Sequence, residues 1–172
     1  MFVERNTWDC FSVNKEETYQ YLNDRGVVYE ITEHPAVFNM AEVAELTTLP
    51  YPEVNAKNLF VRDKKKRFYM LTVRGDVRAD MKAFRKKLGV TGLSFATVEE
   101  LDSILKLYPG AGTPLGLLND KEKLATLYID EWFMEGLIGL HPNDNTATIW
   151  MKATDLVKLL EEDGHTVRTI AL

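Results

Sequence analysis

Apolar positions recur along this chain at two spacings, and the places where the spacing changes mark out its elements. Asn14 followed three residues later by Glu17 makes a capping box, and Gly26 supplies a stop, so the amphipathic run Lys15 to Arg25 reads as a helix. Val27 to Thr32 then reads as a strand, and Met40 to Leu46 as a short helix closed before Pro50 and Pro52. Tyr51 to Asn55 is a loop. Leu59-Phe60-Val61 and Phe68 to Val73 are β-prone apolar runs flanking Asp63-Lys64-Lys65-Lys66-Arg67, the pattern of a hairpin with a basic tip. Asp80 to Leu88 is a helix ended by Gly89, and a second capping box, Thr97 with Glu100, opens a helix to about Lys106. Pro109 to Pro114 is too rich in glycine and proline for regular structure. Leu124 to Ile129, Leu137 to Leu140 and Thr146 to Met151 read as strands, Asp155 to Asp163 as a helix stopped by Gly164, and His165 to Ile170 as a last strand.

Helices and strands are thus intermixed, with several hairpin-like adjacencies. That order favours a mixed α/β fold, a mixed sheet curled into a partial barrel and flanked by helices, over a doubly wound parallel sheet. No repeat, linker or low-complexity stretch divides residues 1–172, which are expected to form a single domain.

Composition narrows the class further. With 45% hydrophobic and 27% charged residues, the chain suits one globular core; no apolar run approaches a membrane span and no secretory signal is apparent, so a cytoplasmic location is expected. Cys10 is the sole cysteine, which excludes an internal disulfide and any familiar zinc spacing, so no metal or cofactor is expected. The net charge of −5 argues against general nucleic-acid binding, and no DNA partner is expected, yet the total hides an asymmetry. Lys57 to Gly92 contains twelve Lys and Arg against three Asp, about +9, and leaves about −14 elsewhere. Lys64, Lys65, Lys66, Arg67, Arg74, Arg78, Lys82, Arg85 and Lys86 could together meet a phosphate backbone; the plainer alternative is a solvated hairpin tip followed by a solvated helix face.

No phosphate-binding loop, dinucleotide turn or Gly-x-Ser-x-Gly elbow is present. The candidate chemistry lies in polar residues at unusual places. Lys57 and Asn58 immediately precede an apolar strand, where an inward lysine is costly unless paired. The loop Gly110-Ala111-Gly112-Thr113-Pro114 has two glycines that allow unusual backbone angles and close approach, and a proline that stiffens its exit, so it could present N–H groups to a carbonyl or oxyanion. As a plain connector it would look the same. His141 begins the turn His141-Pro142-Asn143-Asp144-Asn145, where a histidine could act as acid, base or hydrogen-bond donor, and His34 before Pro35 has similar standing; His165 looks like a partner for a helix end.

Taken in order, His34-Pro35-Ala36-Val37-Phe38, Lys57 to Lys65, Leu93 to Ala96, Gly110 to Asn119 and His141 to Thr148 resemble the YbaK and prolyl-tRNA-synthetase-associated editing family. Within it, the likeness is to the freestanding branch that deacylates alanyl-tRNA charged on the proline tRNA. The resemblance implies that Lys57 is the hallmark active-site residue. It also implies that Gly110, Gly112 and Pro114 belong to the loop that positions the ester, and that Asn58, Ala111, Thr113, His141, Asn145, His34, Phe38 and Asn39 shape the amino-acid pocket. Water would attack, helped by a hydroxyl of the terminal ribose, with no side-chain nucleophile. Selection for a small residue would work by steric exclusion. The implied partners are the acceptor end of a tRNA and prolyl-tRNA synthetase. One position departs from the pattern: Asn39 stands where many members have threonine, which bears on specificity. Cysteinyl-tRNA as substrate, or a non-catalytic sensor of proline or charged tRNA, are alternatives built on the same residues.

Overall fold

The computed structural model describes residues 13–46 and 48–172, so Cys10 lies outside the described residues. The elements in chain order are α1 (Lys15–Asp24), β1 (Tyr29–Glu33), α2 (Met40–Ala44), β2 (Ala56–Asp63), β3 (Phe68–Arg74), α3 (Met81–Leu88), β4 (Leu93–Phe95), α4 (Val98–Leu105), β5 (Ala125–Asp130), β6 (Leu137–Leu140), β7 (Ala147–Lys152), α5 (Ala153–Glu162) and β8 (Val167–Ile170). Among the described residues, three short 3-10 turns, Pro52–Val54, Pro114–Asn119 and Glu131–Glu135, fill gaps between them.

The local signals act where the residue types dictate. Asn14 accepts from the N–H of Glu17, Asp80 accepts from those of Lys82 and Ala83, and Thr97 and Glu100 form both bonds of a capping box. Gly89 ends α3 in the left-handed conformation. The fold is the expected mixed α/β arrangement, with its strands divided between two sheets flanked by helices. One has the order β1-β7-β6, all antiparallel; the other has the order β4-β2-β3-β5-β8, in which β3, β5 and β8 run parallel. A single bridge between Asn55 and Gly139 links the two, just before β2 begins.

One apolar cluster serves both sheets: Phe60, Met70, Leu127 and Ile129 from the larger meet Ile138, Leu140, Ile149 and Met151 from the smaller, closed by Leu156, Leu159 and Leu160 of α5. Alternate residues of β2 and β3, among them Val61, Tyr69, Leu71 and Val73, face the other way and pack on Phe84 of α3. Among the described residues no helix is long and apolar enough to cross a membrane.

Candidate active site

The β2 strand has neighbours on both sides only over its last residues. β4 pairs with Val61–Asp63, and Ala96 donates to the Phe60 carbonyl, whereas the outer edge of Ala56–Leu59 carries no strand. A cavity of about 480 Å³ opens along that bare edge. It is bordered by Lys57, Asn58, Phe38, Asn39, Gly110, Gly112 and His141, among others, so seven of the residues singled out in the sequence meet at one place. The volume falls within the range of small-molecule sites and far exceeds what a methyl group fills, so any size filter has to reside in one end of it.

Lys57 and Asn58 reach this space from opposite faces of β2, as strand alternation requires. Lys57 is half-buried, and its Nζ donates to the Val77 carbonyl at 2.6 Å. One of three ammonium donors is thereby used and the group is held against the loop that follows β3. Asn58 is clamped on the other side: its Oδ1 accepts from Thr72 Oγ1 at 2.7 Å and its Nδ2 donates weakly to the Gly112 carbonyl at 3.5 Å. The glycine-proline loop is therefore tied to β2 next to Lys57.

Within that loop the two glycines do different things. Gly110 has φ +94, and a Cβ there would lie 3.0 Å from the Phe38 Cα, so only glycine fits both the backbone and the neighbour. Gly112 does not use a left-handed angle, and a Cβ would meet only Asn58 at ordinary contact distance, so of the two glycines only Gly110 uses the freedom the residue allows. Among the described residues the N–H groups of Gly110 and Gly112 have no hydrogen-bond partner. Ala111, Thr113 and Pro114 turn inward and are buried; the Thr113 hydroxyl accepts from the Leu115 N–H and Pro114 opens the 3-10 turn, so these three hold the loop and do not border the cavity.

Two histidines and an asparagine stand behind the cavity. Nδ1 of His141 donates to the Ala147 carbonyl at 3.0 Å, which fixes the tautomer and leaves Nε2 as an acceptor. Burial pushes its pKa below the ordinary imidazole value, so the ring is neutral near pH 7. His34 is buried beside it, ring centroids 6.1 Å apart, with Nδ1 on the Pro35 carbonyl and Nε2 on Thr148 Oγ1; it does not border the cavity. Asn145 is a strut: Nδ2 donates to the Val37 carbonyl at 2.8 Å and Oδ1 accepts from Tyr108 at 2.8 Å. It thereby joins the segment bearing Phe38 to the one bearing Gly110. Asn39 borders the cavity and caps α2, its Oδ1 accepting from the Glu42 N–H.

Several bordering residues were not singled out in the sequence. Phe95 and Val98 border the cavity yet remain more than half exposed, as does Phe38. Together they give its mouth an apolar rim. A phenylalanine beside Ser94 and a helix cap was a usable signal for Phe95, since nothing in a three-residue strand requires an exposed aromatic ring. For Tyr108, whose hydroxyl ends on Asn145, no local signal exists.

The basic residues divide. Arg78, Lys82, Arg85 and Lys86 are exposed along α3 and its lead-in, and Ala79 between them borders the cavity. Lys64, Lys65 and Lys66 are exposed at the hairpin tip, roughly 23 Å from Lys57 at 3.3 Å per strand residue. Lys64 N–H donates to the Thr91 carbonyl just after α3, which ties the hairpin tip to the end of the basic helix. Arg67 is paired to the buried Asp63 at 2.6 Å, and Arg74 lies between Asp130 and Asp76, at 3.7 and 4.0 Å. Both of these charges are already partnered. No cluster of metal-ligating side chains occurs among the described residues.

The chain is similar to known proteins over most of its length. Residues 34–159 match the model of the aminoacyl-tRNA editing domain. The chain is 34% identical over 164 residues to prolyl-tRNA editing protein ProX of Acetoanaerobium sticklandii, covering 92% of this chain and 97% of that one. It is 31% identical over 159 residues to prolyl-tRNA synthetase associated domain-containing protein 1 of Danio rerio, covering 88% and 84%. The fold also matches a solved structure described as a candidate trans-editing enzyme for prolyl-tRNA synthetase, with TM-score 0.68 and 21% identity over 94% of this chain and 99% of that one. A cavity on a bare strand edge, bordered by lysine and a glycine loop, with this family match spanning most of the chain, makes the protein a member of the aminoacyl-tRNA editing domain family.

Proposed function

We propose that the protein is an editing deacylase acting in trans on tRNA, and that its substrate is alanine wrongly esterified to the proline tRNA. The observation that supports this reading is that Lys57, Gly110 and Gly112 border one cavity beside the bare edge of β2, the two glycine N–H groups having no hydrogen-bond partner among the described residues. Such donors suit an ester carbonyl whose oxygen gains negative charge during attack. In the reaction, the oxygen of water adds to the ester carbonyl carbon, the bond from that carbon to the ribose oxygen breaks, and the proton passes to the departing ribose hydroxyl. Free amino acid and intact tRNA result. Lys57 and the loop would orient and polarise the carbonyl, while neutral His141 would offer an acceptor at the far wall. Alanine in place of proline would be selected by overlap against the buried end of the cavity.

The single apolar cluster spanning both sheets supports treating the chain as one editing domain. The exposed basic residues from Arg78 through α3 to Lys66 support electrostatic attachment of an acceptor stem, and the relatives' descriptions support a role alongside prolyl-tRNA synthetase. The test is hydrolysis of alanyl-, prolyl-, cysteinyl- and seryl-tRNA side by side. Fast loss of the alanyl ester with prolyl-tRNA spared supports the reading; preference for the cysteinyl ester reassigns the amino acid, and tight binding without hydrolysis of any ester favours a sensor.

A further inference from the structure

A second recess adjoins the cavity and has a different character. Its volume is about 650 Å³, and Met40, Val43 and Asn55 border both spaces, so the wall between them is one residue thick. Arg74 marks its nearness to the site: it pairs in register with Ala56, the residue before Lys57. Gly75 brings backbone against Asn55 and Met40 so closely that a Cβ would lie 3.0 Å from each. The far side is Trp132, 48% exposed although it is among the largest apolar side chains. The Arg74 guanidinium lies 5.7 Å from the Trp132 ring centroid, and its Nε, sealed from solvent, makes no hydrogen bond among the described residues and is held only at ion-pair distance by Asp130 and Asp76, at 3.7 and 4.0 Å. The charged groups bordering the recess are Arg74, Glu53 and Asp76, two carboxylates against one guanidinium.

That balance disfavours a phosphate and suits an uncharged flat group with an amino edge. An exposed indole with an arginine plane beside it is a stacking surface for a nucleobase, and carboxylates accept from the exocyclic amino group of cytosine. We propose that this recess receives the base next to the terminal adenosine of the acceptor end, a cytosine in every tRNA, with Trp132 and Arg74 stacking the ring and Asp76 or Glu53 accepting from its amino group. The inference rests on the deacylase reading, because an aminoacylated 3′ end whose ester lies in the cavity must lead its preceding nucleotide out across the neighbouring wall. It gives Arg74 a role in base stacking and not in phosphate attachment.

The experiment compares Trp132→Ala with wild type on alanyl-tRNA and on the mononucleotide ester alanyl-adenosine. Loss of one stacked base predicts a fall in kcat/KM on the tRNA of about tenfold or more, with the mononucleotide ester hydrolysed as by wild type. An equal fall on both substrates, or no change on either, overturns the proposal. In parallel, the trinucleotide CCA should quench tryptophan fluorescence in wild type, with the quench lost in Trp132→Phe; quenching that persists in Trp132→Phe, or none in wild type, also overturns it. If wild type cleaves neither ester, the deacylase reading fails separately, and the titration with CCA still decides the recess.

Discussion

The two ends of the β2–β3 hairpin carry unlike chemistry on the same pair of strands. At the cavity end each polar side chain is committed: Lys57 to the Val77 carbonyl, Asn58 to Thr72 and to the glycine loop. At the tip, Lys64, Lys65 and Lys66 extend into solvent, and only Arg67 is tied down, by Asp63. Geometry fixed before a ligand arrives lowers the cost of reaching the transition state. Mobile surface charge acts by number and distance instead. On the proposed function, rate would depend on one end and affinity on the other.

The strongest way to break this division is Gly110→Ala. It places a Cβ against Phe38 and strains a backbone at φ +94, shifting the loop that borders the ester site. Displacement on the scale of an ångström costs about a hundredfold in rate, so single-turnover deacylation should slow by that order while tRNA affinity holds. The converse change, reversing Lys64, Lys65 and Lys66 to glutamate, should weaken tRNA binding about tenfold at low salt and flatten the plot of log affinity against log salt by about two units. Its single-turnover rate at saturating enzyme should be unaltered. An unaltered salt slope would return the tip to ordinary surface.

A third change tests the link between the walls. Asn145→Ala removes the buried bonds to Val37 and Tyr108 and should cost about 1–3 kcal/mol of stability by leaving buried groups unpaired. Tyr108→Phe should cost less and still impair activity.

The smallest effect is in pH. Burial lowers the pKa of His165, as it does that of His141, so the folded protein binds fewer protons than the unfolded chain. Stability is full above the unfolded value of about 6.5 and is lost as the pH falls from there through the folded values. Thermal melts from pH 8 to pH 5 should show that decline, and it should be shallower in a His165→Gln variant.

Sequence made the local elements legible because each carried its own signal. The Thr97 and Glu100 cap, the Gly89 stop and the basic hairpin tip all depend on residues within a few positions of one another. The parallel pairing of β3, β5 and β8 had no such signal, since register between strands some fifty residues apart leaves no local mark. β4 has three residues, too few to show alternation. Within the site, Lys57 and the glycine loop stood out as residues at odds with their surroundings. His34 and Asn145 stood out equally, yet their hydrogen bonds are spent inside the fold, and a sequence does not say which polar residue is already satisfied. Trp132 and Arg74 were invisible as a pair because 58 positions separate them and only the β3–β5 ladder brings them together.

Single-turnover hydrolysis of alanyl-tRNA by Lys57→Ala, at enzyme concentrations that saturate binding, tests the central claim most directly. The account predicts a rate at least a hundredfold below wild type with little change in tRNA affinity; a rate within twofold of wild type would contradict it.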